Sequence, residues 1–340
     1  MKTLYYKKKN LLEWVDIDEP SISGKNQMIV EPIAIARCDL DLPIIQGATL
    51  FRPNFPIGHE FIGRVVEVSE DIQDQFIIGS SVAVSFQVSC GICPSCVDHQ
   101  SKNCKTNKFV ADFGMPPGAH EFGGAISEKV KIPYATQMVL PISQNLDPIS
   151  IASLSDNISE AWKLAGRFFD RKPNGKILVV GGLASSIGLY TALLAHQMYS
   201  GEILYWDTDR KRVDLAESLG IPSIYSDAFP KSEGRFDIVC EASNTEEGWS
   251  FAMRSIEKNG IFSSGSLFWS NKISIPYLEL YNFGVEMHLG RVDSIESMRK
   301  LLPSIESGQF TPGKIVTSIA SFTDAKDAWL EPSIKLVIRN

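Results

Sequence analysis

The chain is expected to be an α/β protein in two parts, one β-rich and one built on a doubly wound parallel sheet. Three features of the sequence predict this. Residues 1–150 run as short apolar stretches broken by Gly, Pro, Asp and Ser. From about residue 151 to 291, compact apolar runs alternate with helix-like stretches of ten or more residues. Four of the six cysteines crowd between positions 90 and 104, a density that points to a bound metal.

In the first part, Met28-Ile29-Val30, Gly63-Arg64-Val65-Val66-Glu67-Val68 and Ser81-Val82-Ala83-Val84 read as strands. The pattern changes after Pro148. Ile151 to Phe169 reads as a helix, Lys176-Ile177-Leu178-Val179-Val180 as a buried strand, and Ile187 to Tyr199 as the helix that follows a glycine turn. Glu202 to Trp206 is a second strand, Arg210 to Leu219 a helix, and Phe236 to Cys240 a later strand. Strands alternating with helices in this way form βαβ units on a parallel sheet. The remainder, 292–340, holds an amphipathic helix (Ile295 to Ser307) and two strand-like pieces, Ile315-Val316-Thr317 and Lys335-Leu336-Val337-Ile338. It is expected to return to the β-rich part, which sets the divisions at 1–150, 151–291 and 292–340.

Composition narrows the function. Hydrophobic residues make up 44% and charged residues 21% of the chain, with a net charge of −7, which suits a soluble globular protein and disfavours nucleic acid or an anionic membrane as partner. The run Lys7-Lys8-Lys9 is too short to alter that. No apolar run is long enough to span a bilayer, and Met1 to Tyr6 lacks the apolar core of a secretory signal. A cytoplasmic protein is expected, and in that compartment the cysteines stay reduced.

Cys90, Cys93, Cys96 and Cys104 supply four thiolates, the number that closes a tetrahedral zinc shell. Such a shell clips a loop together and leaves no open position. Gly91 and Pro94 permit the turns between the cysteines; His99 lies inside the loop and could replace one of them. A zinc ribbon for nucleic acid is the rival use of such a loop, and the acidic net charge weakens it.

A second metal site is suggested by Gly58-His59-Glu60, with Cys38 lying 21 residues earlier. A lone Cys or His is more often a core residue. Asp156, at the point where the β-rich part gives way to the βαβ part, changes the balance. Cys38, His59 and Asp156 would be three ligands drawn from around a cleft, leaving a fourth position open as catalytic zinc requires. Glu60 fits a residue that tunes or exchanges with a ligand better than it fits a base.

The turn Gly181-Gly182-Leu183-Ala184-Ser185-Ser186-Ile187-Gly188 sits between a strand and a helix. Small residues there let the backbone approach a pyrophosphate, whose charge meets the helix N-terminus. Asp207 ends the next strand, 19 residues after Gly188, where a carboxylate would accept hydrogen bonds from a ribose. That carboxylate favours NAD over NADP; Arg210, Lys211 and Arg212 leave NADP as the lesser reading. The alternative is a glycine-rich turn in some other α/β sheet.

Taken together, these segments resemble the zinc-dependent medium-chain dehydrogenase/reductase family, the alcohol dehydrogenase type, over nearly the whole chain. Val30 to Cys38 looks like the strand that delivers the family's first catalytic ligand. Gly58-His59-Glu60 matches its Gly-His-Glu signature, and the four-cysteine loop its structural-zinc lobe. Gly123-Gly124-Ala125, the glycine turn, Asp207 and Glu241-Ala242-Ser243 follow in the family's order. Asp156 stands where many members carry Cys or Glu. The resemblance implies a GroES-like catalytic domain joined to a Rossmann domain, two zinc ions per chain, hydride exchange between an alcohol or carbonyl compound and NAD, and a homodimer or homotetramer. Two features depart from the pattern: Leu40 stands where the family relays a proton through Ser or Thr, and Glu160 replaces the usual Thr beside the nicotinamide.

Two other classes compete: a zinc-independent reductase of quinones or alkenes from the same superfamily, and a non-catalytic NAD-binding regulatory protein. Cys38 and His59 together speak against the first; Leu40 is the feature that favours the second. His120 is expected on the surface, His196 and His288 in packing roles, and Cys240 as a small buried apolar group.

Overall fold

The structure is a computed structural model that describes residues 1–107 and 109–340. Its first eight strands are β1 (Lys2–Lys8), β2 (Leu11–Asp16), β3 (Met28–Ala36), β4 (Phe55–Pro56), β5 (Glu60–Val68), β6 (Ser81–Val84), β7 (Val130–Ile132) and β8 (Val139–Pro141). Six more follow: β9 (Lys176–Val180), β10 (Glu202–Asp207), β11 (Ser223–Tyr225), β12 (Phe236–Glu241), β13 (Ile256–Ser264) and β14 (Glu286–His288). The last two are β15 (Ser318–Ser321) and β16 (Leu336–Arg339).

The chain divides into two compact units, one of Met1–Ser159, Val292–Glu306 and Val316–Asn340, the other of Glu160–Arg291 and Ser307–Ile315. The divide falls nine residues beyond the expected boundary at 150, and residues 307–315 lie in the second unit rather than with the tail.

In the first unit, β15-β16-β3-β5-β6-β8 form one sheet, with β7 also paired to β3, while β2-β1-β4 form a small antiparallel sheet. Strand β3 is buried throughout except at the half-buried Glu31 and Ile33, and its partner β5 is buried over its first four residues. Leu4, Val30, Ile35, Phe61, Phe113 and Trp329 lie in its core, each at most 1% exposed.

Two registers matter for the site. Strand β3 pairs antiparallel with β5 so that Ala36 faces Glu60, and with β16 so that Ala36 faces Val337. Continuing both registers past Ala36 puts Arg37 opposite His59 and Cys38 opposite Lys335, so Cys38, His59 and Lys335 gather at one end of three adjacent strands. The buried Arg37 fixes that end, donating to the carbonyls of Trp329 (2.8 Å) and Glu331 (2.7 Å) and to Ser333 Oγ (2.9 Å).

The second unit holds a wholly parallel sheet in the order β11-β10-β9-β12-β13-β14. This is the doubly wound arrangement expected of the βαβ pattern, and its order reverses between β9 and β12. The helix Ser185–Met198, buried along almost its whole first three turns, follows β9.

Three elements differ from expectation. The single helix expected over Ile151 to Phe169 is a 3₁₀ turn at Pro148–Ile151, an α-helix at Asn157–Leu164 and a second 3₁₀ turn at Gly166–Arg171. Asp147 accepts from the Ile149 N–H and starts the first turn, and Gly166 interrupts helix formation after Leu164. The strand expected at Ile315 to Thr317 begins three residues later, because Pro312–Ile315 coils as a 3₁₀ turn. His196 is exposed on the outer face of its helix rather than packed, whereas His288 stacks on Phe168 at 4.8 Å, His120 is exposed and Cys240 is fully buried.

Replacing Arg37 by Met leaves buried carbonyls without donors and is expected to cost about 2–4 kcal/mol, whereas Arg64→Met on the exposed side of β5 should cost under about 0.5 kcal/mol. Urea denaturation of both variants measures the contrast.

Candidate metal centres and nucleotide turn

The first donor cluster forms where strand ends meet turns. Beyond β3 the chain folds back at Cys38, whose N–H donates to Asp41 Oδ2 at 2.9 Å while Asp41 N–H returns a bond to the Cys38 carbonyl at 3.1 Å. Just before β5, Gly58 has a φ of +89°, and a Cβ there would lie 2.9 Å from Ile126 Cγ1. Only glycine suits both constraints, and its turn aims His59 inward. Asp156 arrives from a separate segment, the turn before Asn157–Leu164, where its N–H bonds to the Ser153 carbonyl.

These paths bring one donor atom each from Cys38, His59, Glu60 and Asp156 within 4.8 Å of one another. Cys38 is 7% exposed, and His59 and Glu60 are fully buried. His59 Nε2 lies 3.2 Å from Asp156 Oδ2, and Nδ1 faces Asp41 Oδ1 at 3.7 Å. Nε2 therefore points into the cluster, and a carboxylate backs the other ring nitrogen, as in histidines that bind metal. Glu60 turns the other way, to Lys335 Nζ at 2.9 Å, and Lys335 also donates to the Arg37 carbonyl at 2.8 Å.

Electrostatics fit a cation. Burial, then Asp156, Glu60 and Asp41, pushes the Cys38 thiol well above its ordinary range. Burial opposes charge on His59, but Asp41 and Asp156 outweigh it and hold the imidazole at about 9. Burial raises Glu60, against the pull of Lys335, to about 7. Cys38 and His59 thus each retain a proton among carboxylates. A divalent cation in place of those two protons leaves the net charge of the cluster unchanged, so this donor set suits zinc.

The second cluster is the cysteine loop. Cys90, Cys93, Cys96 and Cys104 also lie within 4.8 Å of one another, compared with about 3.8 Å between sulfurs in a filled tetrahedral zinc–thiolate shell. The loop aims donors at the sulfurs: Cys93 N–H reaches Cys90 Sγ (3.4 Å), Lys105 N–H reaches Cys93 Sγ (3.3 Å), Cys90 N–H reaches Cys104 Sγ (3.4 Å), and Thr106 Oγ1 donates to Cys90 Sγ (3.0 Å). Donors placed this way stabilise thiolates. Against the opposing effect of burial, they lower Cys93 to about 6 and also lower Cys90, while burial raises Cys96. His99 turns outward, 3.1 Å from Glu296, and is not among the four.

In the second unit, Gly181 to Gly188 joins β9 to the helix Ser185–Met198, so Ser185, Ser186, Ile187 and Gly188 form its first turn. A Cβ on Gly182 would lie 2.5 Å from the Ser243 carbonyl, and one on Gly181 would lie 2.3 Å from Asp207 Oδ2. The turn is therefore packed from below and open only to close backbone approach.

Asp207 is fully buried, and its carboxylate already accepts four hydrogen bonds: Tyr205 Oη (2.5 Å) and Arg212 Nε (2.7 Å) on Oδ2, Asp209 N–H (2.9 Å) and Arg212 Nη2 (2.7 Å) on Oδ1. Arg212, expected from the sequence among the cofactor-binding residues, is the partner that neutralises Asp207. Nearby, Glu241 ends β12 and accepts from Ser243 Oγ, Ser264 Oγ and Ser266 Oγ (2.6–2.8 Å).

Asp41, Lys335 and Tyr205 escaped the sequence reading. Tyr205 could have been found, since residues two apart on a strand share a face. Asp41 reaches the cluster through the tight turn after Cys38, whereas Lys335 carries no local signal and is brought there by the register of β16 on β3.

Comparison with known proteins defines the class. The alcohol dehydrogenase GroES-like domain matches residues 24–144. A probable zinc-binding alcohol dehydrogenase of Mycobacterium tuberculosis is 24% identical over 312 residues, covering 90% of this chain and 79% of its own. The alcohol dehydrogenase of Thermus sp. ATN1 superimposes with a TM-score of 0.88 at 22% identity, over 100% of this chain and 99% of that one. An alcohol dehydrogenase of Escherichia coli CFT073 in complex with NADH gives a TM-score of 0.82 at 20% identity, over 100% and 99%. The fold is shared with these alcohol dehydrogenases. The chain carries an alcohol dehydrogenase GroES-like domain at residues 24–144 and is similar to zinc-type alcohol dehydrogenases over most of its length.

Lys335→Met leaves the Glu60 carboxylate buried without its cation, which should raise its pKa further above about 7 and destabilise the protein by about 3–5 kcal/mol. Adding Glu60→Gln should recover part of that loss. Thermal unfolding of the single and double variants tests the pairing.

Proposed function

We propose that this chain is a zinc-dependent oxidoreductase that moves hydride between an alcohol and its carbonyl partner, with NAD as the second substrate. The observation that carries the reading is the convergence of Cys38, His59, Glu60 and Asp156 within 4.8 Å. In this reading Cys38, His59 and Asp156 hold an open zinc, and Cys90, Cys93, Cys96 and Cys104 hold a closed one that braces a loop. When bound, zinc supplies Lewis acidity toward a substrate oxygen and the dinucleotide supplies a hydride acceptor.

The chain's own residues do the rest. Asp41 orients His59 so that Nε2 meets the cluster, and Lys335 holds Glu60 back from it while leaving it near enough to exchange with a ligand. Gly181 and Gly182 give the pyrophosphate its close approach, and the first turn from Ser185 to Gly188 supplies N–H groups and the positive end of the helix dipole. Asp207, with Arg212 and Tyr205 fixed on it, lies at the strand end where a ribose would be read. With its charge offset by Arg212, its preference for NAD rests on shape and hydrogen bonding more than on repulsion.

A zinc-free quinone or alkene reductase has no use for a buried thiol and imidazole facing each other, and a purely regulatory NAD binder has none for an open metal position. No helix among the described residues is long and apolar enough to cross a membrane. A cytoplasmic homodimer or homotetramer acting on a small molecule completes the reading.

Metal analysis and NADH absorbance test it together. The wild-type protein should hold two zinc ions per chain and reduce NAD with an alcohol. Cys38→Ala and Asp156→Ala should each hold one and lose activity by at least about a hundredfold. One zinc per chain in the wild type, unchanged by either substitution, would refute the reading.

A further inference from the structure

The helix Asn157–Leu164 carries a buried ion pair that is tied to the carboxyl edge of the parallel sheet. Glu160 and Lys163 stand three residues apart, on one face of the helix, and each is 7% exposed. Lys163 Nζ donates to Glu160 Oε1 at 2.5 Å. The same ammonium donates to the carbonyl of Ser264 (3.0 Å), the last residue of β13, and to that of Gly290 (2.5 Å), two residues past β14. An ammonium has three donors, and all three are occupied. Lys163 therefore has none left for a ligand; it fixes where the chain leaves two neighbouring strands. A Cβ on Gly265 would lie 3.1 Å from Glu160 Oε1, so the carboxylate packs against the first residue beyond β13.

The bonds continue from Ser264. Its hydroxyl donates to Glu241 Oε2 (2.6 Å), part of the fully buried carboxylate that ends β12. Glu241 Oε1 accepts the N–H and the hydroxyl of Ser243 (2.8 and 2.6 Å). The Ser243 carbonyl in turn accepts the N–H of Leu183 (2.9 Å), in the glycine turn after β9. One chain of polar contacts thus runs through Glu160, Lys163, Ser264, Glu241, Ser243 and Leu183. It crosses the carboxyl ends of β14, β13, β12 and β9, in the order in which those strands lie in the sheet.

In the function proposed above, a pyrophosphate lies at the turn after β9 and the adenosine ribose at Asp207, which ends β10. Strand β9 has β10 on one side and β12 on the other. The second half of the dinucleotide, which carries the nicotinamide, therefore extends across the ends of β12 and β13. Those are the ends that the contacts from Lys163 to Ser243 hold. We propose that Lys163 is a positioning residue for the nicotinamide half of the cofactor: paired with Glu160, it fixes the exits of β13 and β14 against which that half is laid. The inference rests on the dinucleotide site proposed above and assigns it a residue that acts without touching the ligand. A buried ion pair adds little net stability. An edge held by three charge-assisted hydrogen bonds, by contrast, needs little further ordering when a ligand arrives.

ADP-ribose separates this role from a merely structural one, because it keeps the adenosine, the pyrophosphate and the second ribose of NADH and lacks the nicotinamide ring. Calorimetric titration of the zinc-loaded wild type should show NADH binding at least about tenfold more tightly than ADP-ribose. In Lys163→Met that preference should fall below about threefold, while the affinity for ADP-ribose itself changes by less than about twofold. Should that variant fail to fold because Glu160 is left without its cation, Lys163→Met combined with Glu160→Gln removes both charges and must show the same selective loss. A wild type without the preference, a variant that keeps it, or a parallel loss of both ligands overturns the positioning role and leaves the dinucleotide reading standing. If the wild type binds neither NADH nor ADP-ribose, that reading falls and the inference with it.

Discussion

The end of three neighbouring strands governs this molecule. There β16, β3 and β5 bring a thiol, an imidazole, an ammonium and two carboxylates (Glu60 and Asp41) into a region closed to water, and Asp156 adds a third carboxylate. Burying that many ionisable groups is costly unless each finds a partner of opposite sign or a proton. Here the protein supplies the ammonium of Lys335 at Glu60 and the guanidinium of Arg37 toward Asp41, and the remainder falls to protons on Cys38 and His59 or to a divalent metal. Much else follows from this balance: the donating Arg37 that fixes the strand ends, the glycine at 58 that turns the histidine inward, and the carboxylate of Asp41 behind the ring. The donor set suits a dication.

The second unit meets a different constraint. A parallel sheet whose order reverses between β9 and β12 leaves a crevice at the carboxyl ends of those strands. Gly181 and Gly182 keep side chains out of it, while Asp207 and Glu241, which end β10 and β12, are held by dense sets of donors. A carboxylate fixed in this way offers a ribose a preorganised edge, so less ordering is needed on binding. In the proposed reading, Tyr205 and Arg212 fix the carboxylate of Asp207 where a ribose would meet it.

Legibility in the sequence followed the range of the interactions. The βαβ alternation, the four-cysteine loop and the glycine turn could be read because their signals are local: spacing, periodicity and the conformational freedom of glycine. Cys38, His59 and Asp156 were legible as a set through their order along the chain, although 118 residues separate the first from the last. Asp41 and Lys335 were not, because an aspartate in a turn and a lysine before a strand look like surface residues until the fold-back at Cys38 buries the first and the pairing of β16 with β3 brings in the second. The helix at Ile151 to Phe169 was misjudged for a related reason: hydrophobic periodicity continues across a segment that turns at Ser153–Asp156 to deliver a donor.

The central claim is that the cluster around Cys38 is a metal site distinct from the cysteine loop. An anomalous-difference map collected at the zinc absorption edge from crystals of the protein addresses it directly. Two peaks are predicted, one enclosed by Cys90, Cys93, Cys96 and Cys104, the other in contact with Cys38, His59 and Asp156. A single peak in the cysteine loop, with no anomalous density beside Cys38 in zinc-replete crystals, would contradict the account.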